Sequence, residues 1–376
     1  MQEKNNACKR VIDVMKIGLT GLPTVGKTTF FNLLTHSDLE TSAFSSGKTQ
    51  AHVGVAKIPD ERVDFLSSLY KPKKTTYATM EIIDLPGLVR GSSAGMGMGN
   101  QFLESVRRVD ALVQIVRAFK NENVAHVEGD INPLRDIDTI NAELLLADLG
   151  IIETRIERIE SSKKINSAMR EELAVLKKCM AALEEELPIY SLDLDDEEKE
   201  HLKTFNFLSV KPMLLVINID ENQLSSGDYP QKEELYKYSR EKGMPIMEIC
   251  AQMEVEIDRL DEEDKKLFME EAGITEPGID RLARTTYEYF GLISFLTAGE
   301  DEVKAWTIKK GTTAHRAAGK IHSDIERGFI RAEVVKYSDL RDLGSMARVK
   351  EKGLYRLEGK DYIVQDGDII NFRFNI

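Results

Sequence analysis

The sequence predicts an α/β protein in which a mostly parallel sheet is covered by helices on both faces, interrupted by an inserted helical hairpin and followed by a small mixed sheet. Three observations carry this expectation. Short apolar runs ending in Gly-rich or acidic turns alternate with helical stretches, the pattern of buried parallel strands. A charged stretch with apolar residues at three-to-four spacing separates two of those runs. Residues 291–376 then change to alternating, strand-type patterning.

Each element follows from its local pattern. Residues 14–19 form a short apolar run into a Gly-rich turn, and 27–34 read as the helix that opens after it. Residues 80–83, before Asp84, and 111–116, after Asp110, are further buried-strand candidates, as is 213–217. Within 141–187, Leu144, Leu145, Leu149, Ile152, Ile156 and Ile159, then Leu173, Leu176, Met180 and Leu183, predict two long helices. The polar break at 161–167 folds them into a hairpin; a parallel coiled-coil dimer is the alternative. In the last segment 305–308, 330–337 and 368–374 read as strands. A helix begins near Thr313, and Asp366-Gly367 makes a tight turn before the final strand.

Composition bounds the function classes. A chain of 376 residues suggests two or three domains. With 42% hydrophobic and 31% charged residues it has a globular composition, and no apolar run reaches the ~18 residues that would span a bilayer. Membrane insertion is therefore not expected. The first ten residues are polar and show no secretory pattern, so a cytoplasmic protein is expected. Cys8, Cys179 and Cys250 lie far apart, which argues for free thiols over a zinc site or disulfide framework. The net charge of −13 argues against a protein that coats nucleic acid, and sequence-specific DNA binding is not expected. Residues 291–376 hold 15 Lys/Arg against 13 Asp/Glu, so that end is neutral to slightly basic.

Chemistry concentrates in one motif. Gly21-Leu22-Pro23-Thr24-Val25-Gly26-Lys27-Thr28 fits G-x-x-x-x-G-K-[ST] and sits after an apolar strand and before a helix. Glycines let the backbone bend around a phosphate and turn its amides inward; Lys27 can reach the β- and γ-phosphates, and the Thr28 hydroxyl can ligate Mg²⁺. Asp84-Leu85-Pro86-Gly87 adds an acid for the metal's water shell and an amide, that of Gly87, for the γ-phosphate. Leu88 stands where Ras-like proteins place the glutamine that orients attacking water. The run 91–99, with four glycines, reads as a mobile loop beside the site or as a plain linker. Asn218-Ile219-Asp220-Glu221 follows a strand at the position of Asn-Lys-x-Asp in GTPases, but lacks the lysine and ends in a longer acid. Guanine selection should therefore be loosened.

These residues resemble the YchF family of Obg-like ATPases. The resemblance rests on Gly21 to Thr29, on Asp84 to Val89 with 97–103, on Asn218 with Glu221, and on Cys250-Ala251. It extends through Thr297-Ala298-Gly299, Ala305-Trp306-Thr307, 328–334 and 356–362, and so covers the chain from about Met15 onward. It implies an Obg-type nucleotide domain over 14–130 and 206–290 and a helical insertion over 131–205. A C-terminal TGS domain, a ubiquitin-like β-grasp module, would span 291–376, after an N-terminal extension 1–13. It implies hydrolysis of ATP at least as well as GTP with Mg²⁺, and ribosomes or their subunits as partners. It also makes His126, with Lys27, a candidate catalytic residue that positions water; the other reading of His126 is an ordinary surface side chain.

Departures from the family pattern bear on this. Thr24 stands where an asparagine usually accompanies a monovalent cation, so potassium dependence is in question. The first-switch threonine position falls on Lys48, with Thr49 one residue later. Three functional readings remain open at this level: an ATP-accepting hydrolase, a nucleotide-holding docking module with little hydrolysis, and a GTP-specific GTPase.

Overall fold

The structure is a computed structural model, and it describes residues 15–39, 52–88, 98–271 and 274–375. The extension 1–13 with Cys8, Lys48 and Thr49, and 91–97 of the Gly-rich run lie outside the described residues.

In chain order the first strands and helices are β1 (Lys16–Thr20), α1 (Lys27–Thr35), β2 (His52–Lys57), α2 (Glu61–Tyr70), β3 (Lys74–Thr76), β4 (Thr79–Asp84), α3 (Met98–Arg107) and β5 (Ala111–Arg117). Then come α4 (Pro133–Glu160), α5 (Ser167–Glu184), α6 (Asp196–Leu202), β6 (Met213–Asn218), α7 (Glu221–Ser226), α8 (Lys232–Lys242), β7 (Ile246–Ile249), α9 (Ala251–Asp258), α10 (Glu262–Glu271) and α11 (Gly278–Tyr289). The chain continues through β8 (Leu292–Ala298), β9 (Glu302–Lys309), α12 (Ala314–Ile321), β10 (Phe329–Lys336), β11 (Arg356–Glu358) and β12 (Asp368–Phe374), with short helices between them.

The chain divides into two compact units, one of 16–55 and 81–282, the other containing 56–80 and 283–376. The first is organised by a six-stranded sheet of order β2-β4-β1-β5-β6-β7. β1 pairs in parallel with β4 and β5, and β5, β6 and β7 continue the parallel run. Every residue of β5 and β6 is buried, as expected for central strands covered on both faces. Strands 52–57 and 246–249 carry too little apolar pattern to stand out in the sequence. Pairing to a neighbour, not propensity, makes them strands.

The helical hairpin is present, but its first helix begins at Pro133, not at 141. The reason is local: Asn132 caps it by accepting the Arg135 N–H, Pro133 occupies a position that needs no donor, and Asp136 lies in the first turn. Ile152, Ile156 and Ile159 of α4 share one core with Val175, Leu176, Cys179 and Leu183 of α5. Asp148, fully buried, accepts hydrogen bonds from the Leu208 and Ser209 backbone and the Ser209 hydroxyl, which fixes where the chain returns toward β6.

The second unit holds a sheet of order β11-β10-β12-β8-β9-β3. β8 and β9 form an antiparallel hairpin, β12 lies parallel to β8, and β10 is antiparallel to β12 and β11. α12, capped by Thr313, packs Ala314, Ala317 and Ala318 on Phe295, Ile308, Val334 and Phe372. This is the β-grasp arrangement. β3 joins it beside β9, and Arg62 of α2 pairs with Asp366 at 2.7 Å. Residues 56–80 thus fold with this sheet although they precede β5 in sequence.

Candidate functional site

The parallel strands end together. Leu19 is in register with Asp84, Thr20 with Gln114, and Arg117 with Asn218, so the segments that follow β1, β4, β5 and β6 meet at one edge. Open α/β sheets place their ligands at this carboxyl edge. The eight-residue loop Gly21 to Thr28 leads from β1 into α1, whose helical turns begin at Lys27. Leu22 and Val25 are buried under the loop, and Thr29 lies in the first turn of α1.

Lys27 is buried and folds back over its own loop, donating from Nζ to the carbonyls of Gly21 at 3.0 Å and Leu22 at 2.9 Å. Burial pushes its ammonium down to about 8, opposed by the charge of Asp84. An arriving phosphate would favour the charged form. A Cβ built on Gly87 would lie 3.4 Å from Lys27 Nζ, so the Gly87 backbone is beside the ammonium. Thr28 Oγ1 donates to Asp84 Oδ2 at 3.0 Å. Hydroxyl and carboxylate thus stand together as an oxygen pair suited to a hard divalent cation, with phosphate oxygens and water completing its shell. Leu88 is fully buried and presents nothing to water.

At the other end of the loop, Asn218 is a clamp. Its Nδ2 donates to the Val25 carbonyl at 3.0 Å and its Oδ1 accepts the Ala251 N–H at 3.2 Å, joining the phosphate loop to the start of α9. The fit requires glycine at 26, where φ is +104° and a Cβ would come within 2.7 Å of Asn218 Nδ2. Asp220 caps α7, accepting the Gln223 N–H at 2.9 Å while Gln223 returns a bond to the Asp220 backbone. Glu221, the first residue of that helix, is exposed.

His126 does not behave as a surface residue. Its side chain is 3% exposed, with Nε2 2.9 Å from Asp136 Oδ2, though out of line for a hydrogen bond. The segment carrying it is tied down by Arg117, which is buried at the end of β5. The guanidinium donates to the carbonyls of Phe119 at 3.2 Å and Val124 at 2.9 Å. Thr24 Oγ1 donates to the Ala125 carbonyl at 3.1 Å, a direct link from the phosphate loop to the residue before His126. Arg117 and Asp136 escaped the sequence reading. The Asn132-Pro133 helix start would have flagged Asp136; nothing in the pattern distinguishes Arg117 from an ordinary strand-end cation. A cavity of about 650 Å³ lined by Asn141, Leu145, Tyr190, Met213, Tyr238 and Lys242 lies elsewhere in this unit and contains none of these residues.

Comparison with known proteins fits this arrangement. Residues 16–149 match the family model described as 50S ribosome-binding GTPase, and 292–375 match the YchF GTPase C-terminal model, described as "Protein of unknown function (DUF933)". A Bacillus subtilis protein, "Ribosome-binding ATPase YchF", is 43% identical over 96% of this chain and 99% of its own length. The chain belongs to the YchF family. An Escherichia coli O157:H7 member with the same name is 42% identical over 96% of this chain and 99% of its own. The solved structure of the Schizosaccharomyces pombe YchF GTPase is 34% identical and superposes with a TM-score of 0.84, covering 96% of this chain and 97% of that one. A P-loop GTPase domain followed by the YchF C-terminal domain is therefore the fold of this YchF-family chain. Among the described residues no helix is long and apolar enough to cross a membrane.

Proposed function

We propose that this protein is a cytoplasmic, ribosome-associated nucleoside-triphosphate hydrolase that accepts ATP at least as well as GTP and acts as a switch. The observation that carries it is the pairing of a buried Lys27 with the Thr28–Asp84 oxygen pair beside Gly87. Lys27 and the Gly21 to Thr29 backbone would hold the phosphates, and Thr28, with Asp84 behind it, the Mg²⁺. The cation would neutralise the β- and γ-oxygens. Asn218 and Glu221 would lie at the base end, and His126 would orient water in the place that Leu88 cannot fill. The domain assignment given from the sequence, with 14–130 and 206–290 as the nucleotide domain, 131–205 as the insertion and 291–376 as a TGS domain, is part of this reading, save that 56–80 and 283–290 fold with the C-terminal sheet.

The base preference follows from geometry. Guanine recognition needs a carboxylate that accepts two N–H donors, and a lost bidentate contact is worth about 1–3 kcal/mol. Asp220 is committed to capping α7, and the exposed Glu221 carries one extra methylene. The Thr24 hydroxyl is engaged by Ala125, so turnover should not require potassium.

Phosphate release from ATP and GTP, with potassium or sodium and with or without ribosomes, tests the whole reading. The expected result is Mg²⁺-dependent ATP hydrolysis that ribosomes alter and that sodium supports. A GTP preference above about tenfold, ~1.4 kcal/mol, would overturn the base assignment.

A further inference from the structure

His126 has one ring nitrogen in a hydrogen bond and the other in close charge contact with a carboxylate, out of line for a hydrogen bond. Its Nδ1 accepts the Glu128 N–H at 3.2 Å, which leaves Nε2 as the protonated nitrogen, and Nε2 lies 2.9 Å from Asp136 Oδ2. The other carboxylate oxygen, Oδ1, is fixed by Arg135 through Nε at 3.1 Å and a terminal nitrogen at 2.9 Å. Arg135 is tied in turn to the Asp130 carboxylate and carbonyl at 2.5 and 2.8 Å. Asp136 also stands in the first turn of α4, where a helix favours an acid. The carboxylate is thus a fixed post, while the histidine rides on a loop. With both nitrogens facing protein and side chains only 3% exposed on either partner, the ring in this position cannot touch a water molecule.

We propose that Asp136 is the positioning residue that parks His126 in the resting site, and that hydrolysis requires the ring to leave this carboxylate. The proposal rests on the reading of His126 as the group that orients attacking water. A route for release is built in. Thr24 belongs to the phosphate loop and holds the Ala125 carbonyl, one residue before His126. Nucleotide seated on that loop shifts the balance at Thr24, and the shift reaches the parked ring through a single peptide.

The test is single-turnover hydrolysis of Mg-ATP by the full chain carrying Asp136→Asn, which keeps the shape and removes the charge. The expected result is hydrolysis about three- to tenfold faster than in the unaltered protein, with KM for ATP unchanged within about twofold, and no acceleration when His126→Ala is also present. Slower or equal hydrolysis in Asp136→Asn overturns the proposal, as does the same acceleration in the double variant. If Asp136→Asn fails to bind nucleotide, Asp136→Glu, which moves the charge by one methylene, is read against the same outcomes. His126→Ala with unaltered turnover would overturn the reading of His126 itself. The parking contact is then judged separately by ¹⁵N-labelled imidazole spectra of the nucleotide-free protein. A shifted His126 Nε2 resonance in Asp136→Asn supports the contact, and an unmoved one refutes it.

Discussion

Lys27 at the proposed phosphate end and Asn218 at the proposed base end are both buried at the carboxyl edge of one sheet, yet they use their hydrogen bonds differently. Lys27 rests on two carbonyls of its own loop, partners that a phosphate can replace without disturbing the fold. Asn218 joins Val25 to Ala251 across 193 and 33 residues of sequence, and Asp220 caps a helix. In the proposed reading the phosphate end keeps its groups on replaceable partners, whereas the base end commits two of its polar side chains to the protein. Tight but weakly base-selective binding is what such a division would produce.

That contrast can be broken most sharply at Lys27. Lys27→Ala should lower ATP affinity by more than about a hundredfold, since charge-assisted bonds to phosphate are worth ~1.5–3 kcal/mol each and more than one is lost. Titration of labelled ATP with unchanged affinity would remove Lys27 from the site. Asn218→Ala should act first on the protein: two buried backbone groups lose their partner, at a cost of about 2 kcal/mol and roughly 5 °C in thermal midpoint without nucleotide. Were the midpoint unmoved and only affinity lost, Asn218 would be a ligand group and not a clamp.

Two smaller effects sharpen the comparison. Thr28→Ala should raise the Mg²⁺ concentration needed for half-maximal hydrolysis by about tenfold while nucleotide alone still binds, because only the oxygen facing Asp84 is removed. Equal Mg²⁺ requirements in both proteins would place the cation elsewhere. Asp220→Ala should cost about 1 kcal/mol as a lost helix cap and leave the ratio of ATP to GTP affinity within about twofold. A ratio that moves further would make Asp220 a base-recognition residue despite its bond to Gln223.

The phosphate loop was legible because its chemistry is local. Glycines at 21 and 26, a lysine and a threonine in eight residues need only a strand before and a helix after, and both are written in the adjacent pattern. The base motif was legible as a motif and less so as a geometry. Spacing along the chain does not show that the Asp220 carboxylate is taken up in a capping box with Gln223. His126 could be named but not placed. Its buried Nε2 lies beside Asp136, ten residues away on a helix whose start the apolar spacing put at 141. Periodicity reports a buried face and is silent about capped first turns, where polar residues dominate.

By itself the sequence determined the order of strands and helices around the loop, the hairpin and the small mixed sheet at the end, because burial of regularly spaced apolar residues leaves few alternatives. It also determined the family. What only the tertiary structure decided is which polar groups remain available for a ligand. Residues 56–80 gave no sign that they fold with the C-terminal sheet; the pairing of Lys74–Thr76 to β9 and the Arg62–Asp366 contact arise from chain segments more than two hundred residues apart. Likewise, Asn218 as a clamp, Arg117 as an anchor and Asp136 as the partner of His126 exist only once distant strand ends meet. A hydrogen bond depends on position to within tenths of an ångström, and that precision is set by packing, not by spacing along the chain.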